Sequence, residues 1–257
     1  MALPGNGYPP CPEVVTQQIE LGPLHCLSCA APNAHGVLFH IHGGGFRGGN
    51  PSRSRPFAET VAARLGCTVI LPSYPLAPEN PFPAALIKLR AAVAAIETNQ
   101  PLVIGGDSAG GNLALGLWHL GAAADALWLL SPWLDLRIAA GSYDRAAATD
   151  QLFSREMALD AREMYLQGHS PGDPLASPLL GSLEGLPETF VLAGGGEVLL
   201  DDTLKLFSLL GAAGVDVECR IVPDMQHVAP TFGPDLPGSA AGLDAGVRFL
   251  ERQFARR

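Results

Sequence analysis

The chain has 257 residues, of which 47% are hydrophobic and 16% are charged. This is enough apolar material to bury a core, and it excludes intrinsic disorder as the main state. Sixteen Lys and Arg residues against 25 Asp and Glu residues give a net charge of −9. A binding surface for nucleic acid or for an anionic membrane is therefore not expected.

The sequence shows no pattern typical of a membrane span, a secretory signal or a metal site. No run approaches about 18 uninterrupted apolar residues, and residues 1–10 lack the basic and apolar regions of a signal peptide. Cys26 and Cys29 have neither the following helix of a redox motif nor a second pair for zinc, so the five cysteines are predicted to be reduced thiols. We expect a cytoplasmic protein without a metal or cofactor.

The first forty residues are rich in proline and are predicted to be loop-like. After them, the predicted elements alternate between strands and helices. Strands are predicted at residues 37–41, 67–71, 102–104, 126–130, 189–193 and 217–222. Helices are predicted at residues 84–97, 109–120, 199–213 and 240–254. This alternation predicts an α/β fold in which a mostly parallel sheet is flanked by helices.

One stretch interrupts the alternation. Residues 136–186 contain no predicted strand, although a charged helix is predicted at residues 155–167. We expect this insertion to lie above an edge of the sheet and not to form an independent domain.

The most specific motif is Gly106-Asp107-Ser108-Ala109-Gly110, which lies between a predicted strand and a predicted helix. This is the context of a nucleophile elbow, a sharp turn that exposes a serine hydroxyl and needs glycines to avoid steric clashes. The helix N-terminus behind the serine stabilises negative charge that develops near it. The flanking strand and helix disfavour a chance match, so Ser108 is the predicted nucleophile.

A second glycine motif, His42-Gly43-Gly44-Gly45-Phe46, directly follows the predicted strand at residues 37–41. Successive glycines let backbone N–H groups approach a ligand closely. In an acyl-transfer enzyme, these groups and the amide of Ala109 would bind the tetrahedral oxyanion. By itself the motif is also compatible with a flexible loop, but its pairing with the turn at Ser108 favours the catalytic interpretation.

A serine nucleophile needs an imidazole base and a carboxylate that orients it. Of seven histidines, His227 follows the last predicted strand, where the base belongs if the order is Ser, acid, His. Glu197 follows the preceding strand and is the favoured acid. Asp201 remains the alternative, although Asp201 and Asp202 fall in a first helical turn, where carboxylates complement the helix dipole without a catalytic role.

These motifs together resemble the hormone-sensitive-lipase-like (family IV) serine esterases, which have the α/β-hydrolase fold. The resemblance extends from residue 42 to residue 227 and includes segments 74–79, 131–136, 173–179 and 197–202. It implies that Ser108 is the nucleophile, His227 the base and Glu197 the acid. It also implies an oxyanion hole formed by the amides of Gly44, Gly45 and Ala109.

The resemblance carries further expectations. Pro75 stands where the family's motif has arginine, and the segment before the glycine motif is shorter than usual. We therefore expect one domain over residues 1–257 with a reduced cap, drawn from residues 1–35 and 137–186, and an open pocket. Relatives often form homodimers, but the sequence itself shows no interface.

The predicted activity is hydrolysis of small carboxylic esters with short to medium acyl groups, through an acyl-enzyme. An amidase or formamidase would use the same residues, and the sequence does not separate the two. A non-catalytic ligand receptor is the third interpretation, which the presence of Ser108, His227 and an acid disfavours.

Overall fold

Eight strands form one sheet in the computed structural model, which describes residues 7–256. The strands are β1 (Val15–Leu21), β2 (Leu24–Ala30), β3 (Val37–Ile41), β4 (Thr68–Pro72), β5 (Leu102–Asp107), β6 (Ala126–Leu130), β7 (Glu188–Gly194) and β8 (Val217–Val222). The helices are α1 (Pro51–Leu65), α2 (Ala84–Ala94), α3 (Ala109–His119), α4 (Ser142–Arg145), α5 (Arg155–Leu166), α6 (Leu200–Ala212) and α7 (Ser239–Phe254), with 3-10 turns at Pro178–Leu180 and Ala229–Thr231.

The order of the strands determines where a site can form. The sheet runs β1-β2-β4-β3-β5-β6-β7-β8, and β2 is antiparallel to both β1 and β4 while all other pairs are parallel. The strand that follows β3 in the chain, β4, lies next to β3 towards one edge of the sheet, whereas β6, which follows β5, lies next to β5 towards the opposite edge. The loops that leave these two neighbours therefore diverge and open a crevice at their carboxyl ends, which is the usual ligand position in an open α/β sheet.

Both faces of the sheet are buried. Every residue of β3 and β6 is buried, and alternate side chains enter two separate apolar clusters. One cluster contains Phe57 of α1 and Phe249 of α7, and the other contains Leu113 of α3 and Leu206 of α6. Burial on both faces explains why these strands are continuous apolar runs in the sequence.

The prediction that the first forty residues are loop-like is wrong for residues 15–30. Residues 15–30 form the antiparallel hairpin β1–β2 at one edge of the sheet, so this part of residues 1–35 belongs to the sheet and not to a cap. The turn is Gly22-Pro23, with Gly22 in the left-handed region at φ 52°. As an outer strand with mostly exposed or half-buried residues, β1 lacks the apolar run by which the central strands are recognised. Residues 1–6 lie outside the described residues. They belong to the segment that is predicted to be loop-like and to lack the features of a signal peptide.

Sequence analysis also predicts no element between residues 47 and 66, where the structure has α1. Pro51 occupies the start of this helix, where a missing N–H costs nothing, and the Asn50 side chain accepts a hydrogen bond from the amide of Arg53. Pro56 lies inside the helix, and because proline normally interrupts helices, the sequence pattern does not predict α1. The other predicted elements agree with the structure to within three residues at each end.

The insertion contains α4, α5 and the turn at Pro178–Leu180, and no strand lies in the described stretch 131–187. Side chains of this insertion reach the carboxyl end of the sheet, where they form one wall of a cavity next to the ends of β3 and β5.

Candidate active site

Ser108 stands on a strained turn between β5 and α3. Its backbone has φ 53° and ψ −120°, in the region that side chains rarely adopt. A Cβ at Gly110 would lie 1.9 Å from the carbonyl oxygen of Ile41, and one at Gly106 would lie 2.4 Å from Gly110. The turn therefore requires glycine at both positions, as the sequence motif predicts.

His227 and Glu197 converge on Ser108 from the loops that follow β8 and β7. His227 follows β8, and its Nε2 lies 3.0 Å from Ser108 Oγ. Glu197 follows β7, and its Oε2 lies 2.7 Å from His227 Nδ1. All three side chains are buried, with Glu197 fully so and 5–6% of Ser108 and His227 exposed. The structure thus brings together three residues that are separated by up to 119 positions in the sequence.

The second oxygen of Glu197 is also held. Its Oε1 accepts hydrogen bonds from the Ser131 hydroxyl at 3.0 Å and from the amide of Gly194. Ser131 in turn accepts from the amide of Val228 at 3.2 Å, next to His227. Ser131 belongs to none of the motifs predicted to carry the chemistry, although its place at the carboxyl end of a strand beside β7 could have indicated it.

The groups around His227 increase the proton affinity of its imidazole. Burial of His227 opposes its protonation, but the hydrogen bond from His227 to Glu197 and the negative charges of Glu197, Asp150 and Asp107 outweigh burial and raise the pKa of His227. A raised pKa makes His227 a stronger base towards the Ser108 hydroxyl, while Glu197 stabilises the imidazolium that would result.

The glycine loop passes directly beside Ser108, because a Cβ at Gly43 would lie 3.0 Å from that of Ser108. The amide of Gly43 donates to Asp107 Oδ2 at 3.0 Å, and Asp107 Oδ1 lies 3.1 Å from His40 Nε2. Gly44 and Gly45 follow with φ of 120° and 61°. In the part of the chain that the structure describes, no hydrogen bond uses the amides of Gly44, Gly45 or Ala109.

Tyr74 supports the same loop from beneath. Its hydroxyl donates to the carbonyl of His42 at 2.8 Å, and the two rings stack with centroids 4.4 Å apart. His42 Nδ1 lies 2.7 Å from the carbonyl of Gly43, and burial lowers the pKa of His42. His40 and His42 therefore help to hold the loop. Sequence analysis did not identify Asp107 or Tyr74 as supports, because their contacts arise only from the fold.

The two aspartates at the start of α6 lie away from His227. Asp201 accepts from the amide of Ser142 at 2.8 Å and pairs with Arg145. Asp202 is buried and accepts from the amides of Leu134 at 2.7 Å and Asp135 at 3.0 Å. The carboxylate that contacts His227 is thus Glu197, and the alternative Asp201 is engaged elsewhere.

A cavity of about 880 Å³ opens above Ser108 and the glycine loop. The insertion and the segment after His227 supply its apolar lining, from Leu152, Phe153, Met157, Ala161, Val228, Phe232 and Leu236. Arg47 and Arg53 also line it, and Arg47 is paired with Asp160 of α5. The cavity is therefore a largely apolar pocket with the serine hydroxyl at its base.

The described residues provide neither a reactive cysteine pair nor a metal site. Cys26 and Cys29 are buried on opposite faces of β2, and burial raises the pKa of both thiols. Among residues 7–256, no group of His, Cys, Asp and Glu side chains is arranged to hold a metal ion. Within the same residues, no helix has the length and apolar character needed to cross a membrane.

Comparisons with known proteins agree with this geometry. The sequence profile of the α/β-hydrolase-fold family matches residues 38–231. An esterase of Acinetobacter venetianus is 32% identical over 247 residues, covering 92% of this chain and 82% of its own. An acetyl-hydrolase of Streptomyces hygroscopicus is 33% identical over 223 residues, covering 83% of this chain and 75% of its own.

Solved structures give the same result. An esterase from the bacterial hormone-sensitive lipase family superposes with a TM-score of 0.90 at 33% identity, covering 96% of this chain and 86% of its own. The hormone-sensitive-lipase homologue EstE7, from a metagenome library, gives 0.91 at 31% identity, with coverages of 96% and 89%.

The fold and the site define an α/β hydrolase. Within that class, the chain belongs to the hormone-sensitive-lipase-like family of serine esterases. It is a serine hydrolase, and the reaction class that its relatives support is carboxylic ester hydrolysis.

Proposed function

We propose that Ser108, His227 and Glu197 form the catalytic triad of this esterase. The observation that carries the proposal is the unbroken chain of hydrogen bonds from Ser108 Oγ to His227 Nε2 at 3.0 Å and from His227 Nδ1 to Glu197 Oε2 at 2.7 Å. Ser108 Oγ attacks the ester carbonyl carbon while its proton passes to His227 Nε2. That proton then goes to the leaving alcohol, and water attacks the acyl-enzyme by the same route.

The amides of Gly44, Gly45 and Ala109 would bind the oxyanion of the tetrahedral intermediate. Their freedom from internal acceptors within the described residues supports this role, since each N–H is available to a ligand. The bond from Gly43 to Asp107 supports it too, because it fixes the peptide that precedes the two donors. Preorganised donors of this kind supply a large share of the rate enhancement in acyl transfer.

The proposed substrates are small esters with short to medium acyl groups. The apolar lining of the cavity supports an aliphatic or aromatic substituent, and the close approach of α5 supports an upper limit on its size. A Cβ at Gly45 would lie 3.3 Å from the Cβ of Ala161, so α5 leaves little space beside the glycine loop. We further propose that residues 1–257 act as one domain, with the insertion 137–186 as a reduced cap.

The test is hydrolysis of p-nitrophenyl acetate, butyrate, octanoate and palmitate by the wild type and by Ser108→Ala. We expect activity on the shorter esters, with its loss in Ser108→Ala but not in Ser182→Ala, an exposed serine that serves as the matched control. A profile that peaks at palmitate would reject the proposed acyl range.

A fluorophosphonate probe separates the remaining possibilities. Labelling of Ser108 without ester turnover would indicate an amidase in place of an esterase. Hydrolysis of N-formyl and aryl amide substrates would then test that activity. A folded wild type that is neither labelled nor active would reject the triad.

A further inference from the structure

Residues 149–153, here called the tether segment, join α4 to α5 within the insertion. They form hydrogen bonds with both the loop that carries Glu197 and the loop that carries His227. The hydroxyl of Thr149 donates to the carbonyl of Gly196 at 2.7 Å, next to Glu197. The tether segment takes no direct part in the mechanism described above, yet it contacts both loops.

Asp150 is the centre of this arrangement. Its Oδ1 accepts from the amides of Leu152 at 3.0 Å and Phe153 at 2.9 Å, both of which line the cavity. Its Oδ2 accepts from the amide of Val198 at 2.9 Å, directly after Glu197. One carboxylate therefore binds the cavity wall through one oxygen and the acid loop through the other.

The base loop is attached to the same segment by Gln226, the neighbour of His227. Its side-chain oxygen accepts from the amide of Gln151 at 3.1 Å, and its side-chain nitrogen donates to the carbonyl of Thr149 at 3.2 Å. Phe153 completes the contact by stacking on the imidazole of His227, with centroids 5.6 Å apart and planes at 19°.

The charge of Asp150 also acts on His227. The acidic groups that act on this imidazole are Glu197 after β7, Asp150 in the tether segment and Asp107 at the end of β5, and their charges raise the pKa of His227 against the opposing effect of burial. Removal of one of these charges should therefore lower that pKa.

We propose that Asp150 is a positioning residue, which ties the cavity wall to the Glu197 loop and so aligns the Glu197–His227 pair only when the wall is in place. This inference rests on the proposed function. It makes the insertion a part of the catalytic geometry as well as the boundary of the pocket.

The experiment compares wild type, Asp150→Asn and Asp144→Asn. An asparagine has a single acceptor oxygen, so either the Val198 amide or the Leu152 and Phe153 amides would face an NH₂ group. Asp144 lies in the same insertion and pairs with Arg155 on the surface, which makes it the matched control for loss of one charge. The main substrate is p-nitrophenyl acetate, whose acyl group is too small to depend on the wall, and p-nitrophenyl butyrate and octanoate are measured for comparison.

In Asp150→Asn we expect kcat on the acetate to fall about 10- to 100-fold, which is the order expected from a small misplacement of catalytic groups. The acidic limb of its kcat/KM profile should move to lower pH, and the rate of Ser108 labelling by a fluorophosphonate should fall in parallel. Asp144→Asn should match the wild type in all three measurements.

Thr149→Val, which removes one hydroxyl at an exposed position and leaves the charge unchanged, is the second variant. It should lower kcat without moving the acidic limb, and it tests the tether even if Asp150→Asn does not fold. Normal acetate hydrolysis in both variants, or a loss confined to butyrate and octanoate, would overturn the positioning role. An inactive and unlabelled wild type would instead reject the proposed function itself.

Discussion

The two halves of the candidate active site are built in opposite ways. On the side of β7 and β8, the contacts that lead to Ser108 are made by side chains, since His227 contacts Ser108 and Glu197 contacts His227. On the side of β3, the candidate donors are backbone amides, and side chains such as Asp107 and Tyr74 only hold that backbone in place. The first half should therefore be sensitive to changes of charge that preserve shape, and the second to any change that lets the loop move.

The largest effect is expected on the side-chain half, from Glu197→Gln. The amide keeps the size of the carboxylate but loses its charge. Its NH₂ group can only donate, so it must face either His227 Nδ1–H or the Ser131 hydroxyl and the Gly194 amide, which are donors themselves. We expect kcat to fall on the order of 10⁴-fold, as when the orienting acid of a triad becomes an amide. Steady-state kinetics on p-nitrophenyl butyrate measure it, with the exposed Glu184→Gln as control.

The same variant tests the pH dependence. In the wild type the raised pKa of His227 places the midpoint of the acidic limb of kcat/KM above about 6.5, the usual value for histidine, because only the neutral imidazole can accept the serine proton. Without the charge of Glu197 this midpoint should move down. A midpoint that stays in place would show that the limb belongs to another group.

The second effect in size is expected on the backbone half, from Asp107→Asn. Oδ2 of Asp107 accepts from Gly43 N–H and Oδ1 lies against His40 Nε2, so an asparagine, which keeps only one of the two oxygens, cannot preserve both contacts and weakens the support of the glycine loop. We expect kcat to fall about 10²- to 10³-fold, the range seen on loss of one oxyanion donor. The control is Asp244→Asn, which removes only a surface ion pair with Arg64. If the loss is instead in KM, the loop is a binding surface and not a donor of hydrogen bonds to the transition state.

A smaller effect on the same half is expected from Tyr74→Phe. This change keeps the stacking on His42 but leaves the buried His42 carbonyl without its hydrogen bond. An unsatisfied buried group costs about 1–3 kcal/mol, and part of this cost should lower the free energy of unfolding. The remainder should raise the barrier of the reaction, so we expect kcat to fall about 10-fold. Tyr165→Phe is the matched control, because the Tyr165 hydroxyl is buried without a hydrogen-bond partner in the described chain. Equal losses in both variants would assign the effect to packing.

The contrast between the halves also explains what the sequence could predict. Ser108 and the glycine loop are local motifs whose spacing is dictated by a turn, so they are visible in a few consecutive residues. His227 and Glu197 were predicted from their order after strands, and the central strands from their apolar runs. The sequence does not predict the supporting residues, because each acts through a contact with a residue at least 32 positions away. These residues are Ser131, Asp107, Tyr74 and Asp150. The hairpin of β1 and β2 was missed for a different reason, since an exposed edge strand has no apolar run.

The smallest effect on activity, and a distinct effect on stability, is expected from Asp202→Asn. Glu197 and Asp202 are both buried carboxyl groups of one segment. Within residues 7–256, however, Asp202 has no hydrogen bond to an imidazole, and it accepts from the amides of Leu134 and Asp135, both through Oδ2. Burial raises the pKa of Asp202 to about 7, against the partial compensation from these two amides. An asparagine oxygen can accept the same two hydrogen bonds without ever becoming charged.

The sign of the pH effect follows from proton binding. Between pH 4 and pH 7 the folded protein holds a proton on Asp202 that the unfolded chain has released, so this group's contribution to stability is lost as the pH rises through about 7. Urea unfolding at pH 5 and pH 8 should therefore show a larger loss of stability with rising pH in the wild type than in Asp202→Asn, with kcat on p-nitrophenyl butyrate unchanged. The exposed Asp216→Asn should retain the wild-type pH dependence. If Asp202→Asn keeps the wild-type loss, then Asp202 is charged in the folded protein and its two backbone hydrogen bonds outweigh its burial.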